Sequence, residues 1–150
     1  MKNSAFLPPE IIIGMWQVAG GHGEIDHKKA IQDMLDYHQA GFRTWDVADH
    51  YGPAEEFIKI FRKEVLNKFG AESASEICAY TKWVPTDVEK RWTLEADYSL
   101  EFVEKNIDRS LQRMGVESLD LLQIHWWDYD DKRIFDVLNH LSLLKKKGKN

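Results

Sequence analysis

The sequence has a single cysteine, Cys78. That excludes an internal disulfide and any metal site built from several thiolates, and it suits a reducing compartment. No apolar run approaches the ~20 residues that a membrane helix needs. Pro8, Pro9 and Glu10 interrupt the start before the short run Ile11-Ile12-Ile13, so no signal peptide is read there and the protein is expected to be cytoplasmic. Among six histidines there is no H-E-x-x-H pair. His22, His27, His38, His50 and His140 are scattered and expected to be solvated or capping, with no metal. An excess of positive charge is also lacking. The net charge of −5 makes a nucleic acid an unsuitable partner, and Lys145, Lys146, Lys147 and Lys149 read as a solvated last helical turn.

What is present is the composition of an ordinary globular domain, with 43% hydrophobic and 30% charged residues, enough for a real core in 150 residues. Two kinds of segment alternate. Residues 11–15, 43–47, 77–81 and 119–125 are short, apolar and rich in β-formers. Residues 28–40, 54–69, 100–114 and 134–147 carry helical periodicity. In the first helix Ile31, Met34, Leu35 and His38 share a face, with Asp26 or His27 as cap. In the second, Phe57, Ile58, Phe61, Val65 and Leu66 form a stripe. In the third, Phe102, Val103, Ile107, Leu111 and Met114 do so, started by Ser99. Gly41, Gly70, Gly115 and Gly148 stop the four helices.

Strict βα alternation predicts a parallel sheet with helices outside it. An open doubly wound sheet and a section of a (βα)8 barrel both fit. The first normally carries G-x-G-x-x-G after its first strand. Gln17-Val18-Ala19-Gly20-Gly21-His22-Gly23 lacks that spacing and reads as a flexible loop. The expectation is therefore α/β of the (βα)8 TIM-barrel class. About four βα units are present, a half barrel forming a single incomplete domain over residues 1–150.

In parallel α/β folds chemistry collects at the C-terminal strand ends. Asp46, Tyr51, Lys82 and His125 stand there, ringed by Trp16, Trp83, Trp126 and Trp127. Taken singly, each of the four has an ordinary reading as a cap, an exposed strand cation or packing. Together at the ends of three consecutive strands they point to one site. On the fourth strand Gln123 and His125 share a face opposite Leu122 and Ile124. Cys78 reads as a small buried residue rather than a nucleophile.

The stretch Gly41-Phe42-Arg43-Thr44-Trp45-Asp46-Val47-Ala48-Asp49-His50-Tyr51-Gly52 closely resembles the aldo-keto reductase signature. Thr81-Lys82 resembles that family's lysine motif, and Leu119-Asp120-Leu121-Leu122-Gln123-Ile124-His125-Trp126 its histidine motif. Ser110-Leu111-Gln112-Arg113-Met114-Gly115 is similar to the helix that precedes the latter. The match covers the chain from Ile13 onward in family order. Val47 departs from it where Ser or Thr is common, and Lys59 where Gly is preferred. The hairpin that often plugs the barrel floor is short or lacking.

The resemblance implies reduction of aldehydes and ketones by a nicotinamide cofactor, NADPH with NADH allowed. Hydride would pass directly to the carbonyl carbon, Tyr51 would act as general acid, Lys82 would favour its ionised form, Asp46 would hold Lys82, and His125 would orient the carbonyl oxygen. Met15, Trp16, Asp46, Tyr51 and His125 would contact the nicotinamide end, while Trp16, Trp83, Trp126 and Trp127 would wall the substrate pocket. The family's phosphate-binding half normally follows the Lys147-Gly148-Lys149 stretch. The chain alone is thus expected to be a truncated, inactive N-terminal fragment, open to homo-oligomers through its strand edges. Two other readings remain. One is a non-catalytic binding or regulatory subunit of the same fold. The other is a barrel enzyme using Lys82 as a Schiff base, which a neighbouring Asp46 disfavours by keeping the amine protonated.

Overall fold

The computed structural model describes residues 9–21, 23–85 and 98–149. Pro8, His22 and Asn150 lie outside the described residues. Strand β1 is Ile13–Gly14, and a short 3₁₀ turn spans Trp16–Ala19. Helix α1 (His27–Gln39) leads to β2 (Thr44–Asp46), and α2 (Ala54–Ser75) to β3 (Cys78–Trp83). Helix α3 (Leu100–Met114), β4 (Leu121–Ile124) and α4 (Ile134–Lys146) complete the order. The four strands are parallel and lie in sequence order. Among the described residues no helix is long and apolar enough to cross a membrane.

Local chemistry sets most of the boundaries. The Asp26 carboxylate accepts hydrogen bonds from the Lys28 and Lys29 amides at 3.0 Å each, so α1 starts there. Ser99 Oγ accepts from the Phe102 amide at 3.2 Å and starts α3. Gly115 ends α3 at φ +67°, and its N–H donates to the Leu111 carbonyl. The apolar stripes then meet the sheet. Trp45, Ala79 and Trp83 join Phe57, Ile58, Phe61, Val65, Val103 and Ile107 in one buried cluster. Strand alternation gives the opposite face Thr44, Asp46, Cys78, Tyr80, Lys82, Leu121 and Gln123.

Four expectations differ, one of them being His38, expected to be solvated or capping and found buried. Strand β1 pairs over two residues rather than five, because among the described residues it has a strand partner on one side only; Ile11 and Ile12 stay exposed. Leu66 is 49% exposed, off the edge of its predicted stripe. Gly70 does break the helix, at φ +87°, ψ 176°, but the element does not finish there: a second helical stretch follows directly and carries α2 to Ser75. Tertiary contacts hold the resumed turn. Ser73 Oγ lies 2.7 Å from His38 Nε2. Arg43 Nε donates to Glu76 at 2.8 Å just beyond it.

His38 is 2% exposed. Burial, reinforced by the Arg43 charge, lowers its pKa below the ordinary value. The unfolded chain therefore takes up this proton before the folded one does. Stability contributed by neutral His38 is complete above the unfolded value of about 6.5 and is lost as the pH falls toward the folded value. The urea midpoint should fall on acidification through that window, and less steeply in His38→Asn. Parallel pH profiles for the two proteins would remove His38 as the cause.

Candidate active site

Backbone hydrogen bonds beyond the strands assemble the rim. The amide of Met15 donates to the Asp46 carbonyl, that of Val47 to Tyr80, that of Asp49 to Lys82 and that of His125 to Trp83, each at 2.9 Å. The ladder thus continues past the last paired residues and carries Met15, Asp46, Lys82 and His125 to one end of the sheet. A turn closed by the Tyr51 amide on the Ala48 carbonyl, 3.1 Å, then folds Tyr51 back toward the strand ends.

Lys82 is the centre of this arrangement. Its Nζ donates to both carboxylate oxygens of Asp46 at 2.6 Å and to the Val47 carbonyl at 3.0 Å. All three ammonium donors therefore have acceptors, and the side chain is only 18% exposed. The same Nζ lies 4.8 Å from the centroid of the Tyr51 ring. Gln123, paired in register with Lys82, points Nε2 at Asp46 from 3.4 Å. Trp16 meets the Tyr51 ring edge-on at 4.9 Å. His125 stacks on Trp127 at 4.2 Å.

A second group holds the turn that carries Tyr51. The Asp49 carboxylate, 3% exposed, accepts from Arg109 Nη2 at 3.3 Å and lies 2.9 Å from His50 Nδ1. Arg113 donates to the Asp49 carbonyl at 3.1 Å and pairs with Glu55 and Glu56. Glu55 is 1% exposed and accepts from Thr81 Oγ1 at 2.7 Å; burial pushes its pKa up, against the hydrogen bonds that lower it. On the other side Gly52 sits at φ +49°, where a Cβ would come within 2.7 Å of the Ala19 carbonyl oxygen. Only glycine lets this turn approach the one bearing Trp16.

The structure therefore gathers Asp46, Tyr51 and Lys82 directly. His125 joins them through His50, whose ring lies 4.9 Å from that of Tyr51 and 6.1 Å from that of His125. Met15 is buried beneath the rim, while Trp16 and Trp127 stand open at 46% and 55% exposure. Trp83 requires correction. It follows Lys82, so strand alternation turns it to the helix side, where it is 1% exposed and faces Phe102; it walls no pocket. Trp126 is half-buried against Tyr98, with Nε1 donating to the Asp128 carbonyl. Cys78 is half-buried, and burial raises its thiol pKa, which makes it a poor nucleophile. His50, Asp49, Arg109 and Arg113 do not stand out as site residues in the sequence. The only signal there is the adjacency of His50 to Tyr51.

The family model described as the Aldo/keto reductase family matches residues 10–149. The chain is 25% identical over 151 residues to the NADH-specific methylglyoxal reductase of Escherichia coli K12, covering 91% of this chain and 44% of that protein. It is 27% identical over 120 residues to the D-arabinose 1-dehydrogenase of Saccharomyces cerevisiae, covering 79% and 33%. The chain thus spans less than half the length of these curated relatives. Among solved structures, the thermostable aldo-keto reductase Tm1743 superposes with a TM-score of 0.72 at 17% identity, covering 97% of this chain and 48% of that one. The parallel sheet and its four helices correspond to about half of such a (βα)8 barrel.

Proposed function

The chain belongs to the aldo/keto reductase family, and from that premise we propose that the full-length protein reduces aldehydes and ketones, with Tyr51 as general acid. The observation that carries this reading is the fully bonded Lys82 ammonium, held by both Asp46 oxygens at 2.6 Å and 4.8 Å from the Tyr51 ring centroid. A structural lysine needs no phenol beside it. A proton-transferring phenol benefits from a fixed cation that favours its ionised form.

The family uses nicotinamide cofactors. The rim suits the nicotinamide end, since it sets Trp16 edge-on to Tyr51 and stacks Trp127 on His125 at the strand ends. Met15, Trp16, Asp46, Tyr51 and His125 are the residues proposed to hold it. Lys82 is committed to Asp46 and is not free to grip a phosphate. When bound, the reduced cofactor supplies hydride to the carbonyl carbon.

The protein's own groups complete the reduction. Asp46 keeps Lys82 charged and aimed. Tyr51 passes its hydroxyl proton to the carbonyl oxygen as negative charge grows there, and regains a proton from solvent afterward. His125 hydrogen-bonds the same oxygen and fixes its angle. The half-buried pair Tyr98 and Trp126 backs the loop after β4 and helps keep water from the site. NADPH is the proposed donor, with NADH the necessary comparison because one relative is named as specific for it.

The test is consumption of NADPH or NADH by the full-length protein on addition of a short aldehyde, followed by the loss of reduced-nicotinamide absorbance. Consumption with formation of the alcohol is expected. No turnover with either dinucleotide across several aldehydes and ketones would overturn the proposal.

A further inference from the structure

His50 makes ring contact with both partners of the proposed carbonyl site. Its centroid lies 4.9 Å from that of Tyr51 and 6.1 Å from that of His125. It is neither buried packing nor a loose surface residue. Its side chain is 39% open, yet its Nδ1 is fixed 2.9 Å from an Asp49 oxygen that is itself 3% exposed. Arg109 holds the other Asp49 oxygen and Arg113 the Asp49 carbonyl, so α3 determines where the imidazole stands.

This anchoring also determines the ring's chemistry. A carboxylate only accepts hydrogen bonds, so Nδ1 is the nitrogen that carries the proton. In the neutral ring Nε2 is then a lone-pair acceptor, and His50 makes no other hydrogen bond among the described residues. An acceptor beside a carbonyl site does nothing for the carbonyl oxygen, which is itself an acceptor. It suits a hydroxyl one carbon away.

We propose that His50, aimed by Asp49, is a specificity-determining residue that accepts a hydrogen bond from a hydroxyl adjacent to the carbonyl, so that the preferred substrates are 2-hydroxyaldehydes and related hydroxylated carbonyl compounds. The proposal rests on the reductase reading above and deepens it. A site built to bond a hydroxyl discriminates against the analogue that lacks it, because the anchored acceptor is then left without its ligand.

The experiment compares 2-hydroxypropanal with propanal, which differ in that one hydroxyl, in the full-length protein and in its His50→Phe and His50→Gln forms. Thermal melts establish that all three are folded. The wild type should favour 2-hydroxypropanal, and the ratio of the two kcat/KM values should fall about tenfold in His50→Phe, chiefly through KM for the hydroxylated substrate. His50→Gln keeps an acceptor oxygen and should recover most of the ratio. An unchanged ratio in His50→Phe, or a wild type indifferent to the hydroxyl, overturns the proposal while leaving the reductase reading intact. Failure of the wild type to reduce either aldehyde overturns both.

Discussion

On the proposed reading, replacing Tyr51 with phenylalanine in the full-length protein should lower kcat for carbonyl reduction by about 10²- to 10⁴-fold, the usual contribution of a positioned general acid. The substitution removes one oxygen and little else. The ring still meets Trp16 at its edge and still lies near Lys82 Nζ, since both contacts are to the ring. The Ala48 and Ala54 bonds that shape the turn involve only the Tyr51 backbone. The fold and the Asp46–Lys82 pair should therefore survive, and the loss should fall on kcat rather than on stability. Steady-state rates with a matching thermal melt check this. A folded Tyr51→Phe enzyme with unchanged kcat removes the phenol from the chemistry.

Gly52→Ala is expected to lower the free energy of unfolding by about 2 to 5 kcal/mol, combining left-handed backbone strain with overlap against a neighbouring backbone. At φ +49° the new methyl would come within 2.7 Å of the Ala19 carbonyl oxygen, and backbone cannot rotate away as a side chain can. Relief requires the Tyr51 turn and the 3₁₀ turn bearing Trp16 to separate, so kcat/KM should fall as well. Gly148→Ala is the control, because φ is +83° there but a methyl at that position would meet nothing within 4 Å. It should show the strain without the overlap. Urea denaturation of both variants decides the matter; equal losses would mean that the Ala19 contact contributes nothing.

Features written over short stretches of chain were legible in the sequence. Asp26 and Ser99 act within three residues, glycine stops need one residue, and the apolar stripes repeat every turn. That the strands run parallel followed from alternation; their order along the sheet followed only from preferring a barrel section to a doubly wound sheet. What escaped depends on residues far apart in the chain. Nothing near Gly70 shows that helix resumes beyond it, because His38 and Arg43 hold that turn from more than thirty residues away. The clamp on Asp49 escaped for the same reason: Arg109 and Arg113 reach it from α3, 60 and 64 residues further along the chain. Trp83 is different. The parity that put Gln123 and His125 on one face of the fourth strand applies equally to Lys82 and Trp83, and it already assigns the tryptophan to the helix side.

The clamp from α3 means that, among the described residues, the side-chain hold on Asp49 in the Tyr51 turn comes from that helix and from His50. Asp49, next to His50 and two residues before Tyr51, is held from the middle and last turns of α3, where Arg109 and Arg113 reach it. Regions open in cooperative units rather than residue by residue. Heat or denaturant that frays this one helix would therefore loosen the Tyr51 turn while most of the sheet is still folded, and on the proposed reading loss of activity would run ahead of denaturation.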